Sequence, residues 1–111
     1  MFENYLDEEK TKDNNIFKLI IKKIKDNLNN KMYKEYEFIY NEDNILSHGI
    51  IDLLIEDTDR MIIVDYKLKG IDDIEYDKQL NGYRKYIEEK TGKKTYCYLY
   101  SILDERYREV L

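Results

Sequence analysis

The sequence predicts a mixed α/β domain, helices layered on one central sheet, in the order helix, three-strand antiparallel meander, helix, fourth strand and short C-terminal helix. Three observations predict it. Apolar residues recur at helical spacing in two separate segments, alternating residues fill the stretches between them, and the first three alternating stretches are joined by polar turns too short for any crossover.

Residues 1–12 are polar and acidic, with Glu3, Asp7, Glu8 and Glu9, and show no periodicity, so a flexible N-terminal segment is expected ahead of one domain spanning 13–111. From about Asn14 to Asn30, Phe17, Ile20, Ile21, Ile24 and Leu28 form an apolar stripe, and Lys18, Lys22 and Lys25 populate the other side. Asp13 or Asn14 can cap this helix, and Asn29-Asn30 can end it. Tyr33 to Tyr40 alternates as a strand, with Tyr36, Phe38 and Tyr40 on one face and Glu35, Glu37 and Ile39 on the other. Asn41-Glu42-Asp43-Asn44 turns into a second strand, Ile45 to about Glu56, and Asp57-Thr58-Asp59 turns into a third, Met61 to Lys67. After Leu68-Lys69-Gly70, Asp72 or Asp73 caps a helix that runs to Thr91, with Gly92 at its end and Tyr76, Leu80, Tyr83 and Ile87 facing inward. Lys94 to Ser101 reads as the fourth strand, Tyr96, Tyr98 and Tyr100 alternating with Cys97 and Leu99. Asp104 to Leu111 reads as the final short helix.

A chain of 111 residues supports one core. Its 42% hydrophobic content, without proline and with only four glycines, excludes a disordered chain despite 39% charged residues. No apolar stretch is long enough to cross a membrane, and the start Met1-Phe2-Glu3-Asn4 is acidic, unlike a secretory signal, so a cytoplasmic location is expected. Cys97 is the only cysteine, which excludes an internal disulfide and a cysteine-based zinc cluster. There is no glycine-rich phosphate loop, which argues against a small-molecule or redox enzyme. The net charge of −5 argues against a stand-alone electrostatic DNA binder, because lysine and arginine normally supply most non-specific affinity. A nucleic-acid enzyme that borrows its grip from a neighbouring domain remains open.

The chemistry concentrates in two apolar runs. Asp52 sits within Gly49-Ile50-Ile51-Asp52-Leu53-Leu54-Ile55, where an ionised carboxylate must be paired, neutralised or metal-bound. Asp65 and Lys67 close the run Met61-Ile62-Ile63-Val64 and point to one face of their strand. If the two strands are neighbours, two carboxylates and one lysine converge, which suits a hard divalent cation. The plainer reading of Asp65 and Lys67 is a salt-bridged pair at a strand end. Gln79 and Tyr83, four apart, share a helical face, and Tyr83 also fits a core tyrosine on the stripe of Leu80 and Ile87. Gly82 in mid-helix costs about 1 kcal/mol relative to alanine, which points to a close approach of backbone or substrate. His48 lies four residues from Asp52 along the strand, too far to share an ion with it.

Asp52 on one strand, Asp65-Tyr66-Lys67 on the next and Gln79-Leu80-Asn81-Gly82-Tyr83 on the following helix resemble the RecB-type nucleases of the PD-(D/E)xK superfamily, above all the C-terminal nuclease domain of AddA-type bacterial helicase-nucleases. The resemblance covers roughly residues 33 to 103. It implies a restriction-endonuclease-like core and Mg2+-dependent (or Mn2+-dependent) hydrolysis of phosphodiester bonds in DNA, on a single strand delivered by a helicase during double-strand break repair. It further implies Asp52, Asp65 and Lys67 as catalytic residues. The metal ligands would be Asp52, Asp65 and the Tyr66 backbone carbonyl, with Glu35 as a further acidic position, and Gln79 and Tyr83 would contact nucleic acid. Two departures stand out: the family's usual upstream histidine is missing from the expected first helix, and Leu68 stands where threonine commonly follows the lysine. The alternative is a catalytically inactive domain of the same fold, serving as a DNA-binding or protein-interaction scaffold.

Overall fold

Alternating β-branched, aromatic and polar residues build a five-stranded sheet in the computed structural model, which describes residues 31–111. The acidic segment 1–12 and the helix expected at about Asn14 to Asn30 lie outside the described residues. The strands are β1 (Lys31–Glu42), β2 (Ile45–Glu56), β3 (Arg60–Lys67), β4 (Lys94–Ser101) and β5 (Arg106–Val110), and helix α1 (Ile74–Thr91) lies between β3 and β4. The sheet keeps sequence order. β1, β2 and β3 form the expected antiparallel meander, whereas β3 and β4 are parallel, a pairing that needs a crossover such as α1.

Helix α1 begins and ends on its expected caps. The Asp73 side chain accepts the Glu75 N–H at 2.9 Å, and Gly92, at φ 70°, donates its N–H to the Glu88 carbonyl at 2.8 Å. Its buried stripe of Leu80, Tyr83 and Ile87 packs with Ile51, Leu54, Ile63, Cys97 and Leu99. A second cluster, Leu53, Ile55, Ile62, Val64 and Tyr100, occupies the opposite face with half-buried Tyr66, Tyr96, Tyr98 and Tyr107 around it. Tyrosine therefore supplies much of the apolar area, each ring burying its body while its hydroxyl reaches a polar neighbour or water.

One expected element is corrected. The C-terminal residues Asp104 to Leu111 do not form a helix. The Glu105 N–H bonds back to the Ser101 carbonyl at 3.0 Å and Glu105 takes a left-handed φ of 56°, which reverses the chain after one turn. Arg106–Val110 then pairs antiparallel with β4. An eight-residue helix is marginal in water, whereas the open edge of β4 offers a row of unpaired N–H and C=O groups, and pairing wins.

The feature that shapes the site is a break in strand alternation. In β1, Met32 packs with the second cluster but Tyr36 and Phe38 pack with the first; in β2, Ile51 belongs to the first cluster and Leu53 to the second. Residues of the same parity thus face opposite sides, so both strands slip by one position at the same level. At that level Glu35, at φ 51°, stands opposite Asp52, between the pairs Lys34↔Leu53 and Tyr36↔Ile51. Pairing of β2 with β3 also ends there, at Leu53↔Val64. Beyond Asp52 the sheet forks, and the far half of the β1–β2 hairpin carries Phe38 onto α1, its ring 5.1 Å from that of Tyr83 and 4.5 Å from that of Tyr86.

Candidate active site

The fork leaves β3 with backbone groups that β2 no longer satisfies, and Asp52 takes up one of them. Its Oδ2 accepts the Tyr66 N–H at 2.9 Å, where a continued ladder would have offered a backbone carbonyl. The half-buried Asp52 is thereby held against the end of β3, beside Asp65.

Asp65 is 5% exposed and points from β3 toward the α1 side, as does Lys67 two residues on. The Lys67 Nζ stands 3.1 Å from Asp65 Oδ2, an ion-pair distance, yet Oδ2 lacks a well-directed hydrogen bond. The ammonium also sits over the Tyr76 ring of α1, 4.4 Å from its centroid. Burial pushes the Asp65 carboxyl up to about 7, and the Asp52 carboxyl, within hydrogen-bonding range and of like charge, adds to the rise; Lys67 opposes both. A buried carboxyl beside a second one resists ionisation unless positive charge stands near it.

Helix α1 brings the other two expected residues to the same place. The Tyr83 pKa is raised by burial and by Asp65 and lowered by Lys67, which locates the phenol beside the charged pair. The Ile50 backbone and the Gln79 side chain also lie near enough to the Tyr83 hydroxyl to lower its pKa. Gln79 is exposed at the rim. Asp52, Asp65, Lys67, Gln79 and Tyr83 therefore meet at one end of the sheet. The Tyr83 ring is part of the core, 5% exposed, as the stripe of Leu80 and Ile87 led one to expect.

Glu35 does not join them. It is exposed, and among the described residues no three His, Cys, Asp or Glu side chains stand together as a ready ligand set. Its part is in the backbone kink opposite Asp52. His48 is also apart: it is exposed and its Nε2 lies 3.0 Å from Glu37 Oε2. The sequence left Tyr76 unassigned as the ring beneath Lys67, although it was legible, since Tyr76 opens the stripe that faces the sheet.

The donor set is hard oxygen, and Asp65 offers a buried carboxylate oxygen without a directed partner. Mg2+ is commonly bound by one or two carboxylates, the remaining positions going to water and substrate phosphates, so two aspartates fit such an ion.

No protein-family model matches the chain. It is similar to a segment of larger proteins, the A subunits of ATP-dependent helicase/nucleases: 36% identical over 80 residues to that of Clostridium kluyveri, 32% over 80 to that of Clostridium acetobutylicum, and 32% over 81 to that of Clostridium botulinum. The matches cover 64%, 63% and 65% of this chain, and each spans about 6% of the relative's length.

Proposed function

We propose that the chain is a metal-dependent nuclease module with a restriction-endonuclease-like core, hydrolysing phosphodiester bonds of single-stranded DNA as part of, or beside, a helicase in double-strand break repair. The observation that carries this reading is the meeting of Asp52, Asp65 and Lys67 at the fork, with Gln79 and Tyr83 on the adjoining helix. The similarity to the clostridial helicase/nucleases supports it.

Asp52 and Asp65 would hold Mg2+ or Mn2+. The Tyr66 carbonyl would help, because a strand residue directs its C=O to the same side as its N–H, and that N–H faces Asp52. When bound, such an ion polarises the phosphate and makes its water acidic enough to attack. Lys67, paired with Asp65 and braced by Tyr76, stabilises negative charge on the phosphate and orients the attacking water. Tyr83 and Gln79 supply a hydroxyl and an amide that fix the strand against the carboxylates.

The test is cleavage of single-stranded DNA in the presence of magnesium by wild type, Asp65→Ala and Lys67→Ala. Wild type should cut, and each variant should lose at least about a hundredfold in rate. Equal rates in all three refute the reading, and DNA binding without cleavage by wild type assigns the chain to the inactive scaffold class.

A further inference from the structure

A cavity lies on α1, beyond the face that carries Gln79 and Tyr83, where the tip of the β1–β2 hairpin passes over the helix. Its volume is about 320 Å³, within the range of about 300–1,000 Å³ typical of small-molecule sites. Tyr40 and Tyr86 form its aromatic walls, Gly82 its floor, and Glu42, Lys85 and Glu89 its rim. The absent side chain at Gly82 makes the space. A Cβ there would come 3.0 Å from Glu42 Oε2 and 3.8 Å from the Tyr40 ring.

The chemistry of the lining narrows the occupant. Two glutamates against one lysine on the rim repel a phosphate, and Asp43 adds a further carboxylate. The same carboxylates accept hydrogen bonds from neutral N–H donors such as a base's exocyclic amino group. The Tyr40 and Tyr86 rings, with centroids 6.4 Å apart and planes at 57°, offer π-faces to a flat apolar ring without closing on each other. Phe38 stacks on Tyr86 at 4.5 Å and holds it in place. Tyr40 in turn lies edge-on to Tyr83, 6.0 Å away, so the cavity is one ring removed from the hydroxyl beside Asp65.

Building on the nuclease reading above, we infer that this cavity is a nucleobase subsite: it stacks one unpaired, amino-bearing base of the single strand on Tyr40 and Tyr86 while the backbone continues past Gln79 and Tyr83 to the carboxylates. The strand would then be gripped by a base rather than by its phosphates, which suits a domain with a net charge of −5.

The experiment measures binding of a short oligomer of deoxycytidylate, and of the same oligomer with one abasic residue, in chelator so that no cleavage intervenes. Wild type should bind the abasic oligomer about fivefold to a hundredfold more weakly, and only the base-bearing oligomer should shift the amide resonances of Gly82 and Tyr86. Gly82→Leu fills the floor, where its side chain meets the Glu42 carboxylate and the Tyr40 ring, and should abolish the difference with the fold retained, as should Tyr86→Leu. Equal binding of both oligomers, no binding of either, or a difference that survives Gly82→Leu overturns the subsite. Base discrimination without cleavage in magnesium sinks the nuclease reading and leaves the subsite standing; cleavage without discrimination does the reverse.

Discussion

Removing the titrating proton at position 65 should abolish most of the chain's pH response between about pH 4.5 and 7.5. Asp65 moves from an ordinary 3.8 to about 7 on folding, mainly through burial and then through Asp52. Between those values the folded chain holds a proton that the unfolded chain has released, so stability falls as pH rises through this window. At about 1.4 kcal/mol per unit of pKa, the fall approaches about 4 kcal/mol at its limit. Other carboxylates act in a different range. Asp77, bonded to Arg108, and Glu56, bonded to Lys93, are held below their ordinary values, so their contribution is present above those values and is lost only in more acidic solution. Urea unfolding in chelator, from about pH 4.5 to 7.5, should therefore show declining stability for wild type and a nearly flat profile for Asp65→Asn. Millimolar magnesium should restore stability most at the alkaline end, where both aspartates are ready to bind it. A wild-type profile that is flat or rising over this range, or a decline that persists in Asp65→Asn, overturns the linkage between this proton and folding.

Further outcomes follow from single contacts. Arg108 ties β5 and α1 to the loop between β3 and α1, donating to the Ile71 carbonyl at 3.0 Å and to Asp77 at 2.6 Å and 3.1 Å; Arg108→Ala should lower stability by about 2–3 kcal/mol in urea unfolding. Gly49→Ala would place a methyl 2.4 Å from Phe38 Cζ, in a ring only 6% exposed, and should cost about 1–3 kcal/mol. Tyr83→Phe keeps the ring in the core but removes the hydroxyl near Asp65 and Lys67; cleavage should slow roughly tenfold or more while the thermal midpoint stays near wild type. An unchanged rate would leave Tyr83 a core residue only.

Much of this was legible because its signals are local. Asp73 and Gly92 announced the ends of α1 through capping chemistry, and short polar turns dictated the meander that sets Asp52 beside Asp65. The mid-helix glycine at 82 pointed to a close approach of backbone or substrate, whereas its neighbours are side chains, the Glu42 carboxylate and the Tyr40 ring. The rest depended on contacts distant in sequence. Nothing about Glu35 announces a left-handed backbone, so the slip in alternation and the fork at Asp52 were hidden. The same blindness made β5 read as a helix, because its pairing is supplied by β4 and not by its own residues. The cavity between Tyr40 and Tyr86 forms only when the hairpin tip meets α1.

Whether the fork gathers its carboxylates for a cation can be asked without any substrate, by calorimetric titration with manganese. Wild type should bind the ion near neutral pH, and both Asp52→Asn and Asp65→Asn should lose that binding with the fold retained. Binding that survives both substitutions, or no binding by folded wild type, would contradict the metal site.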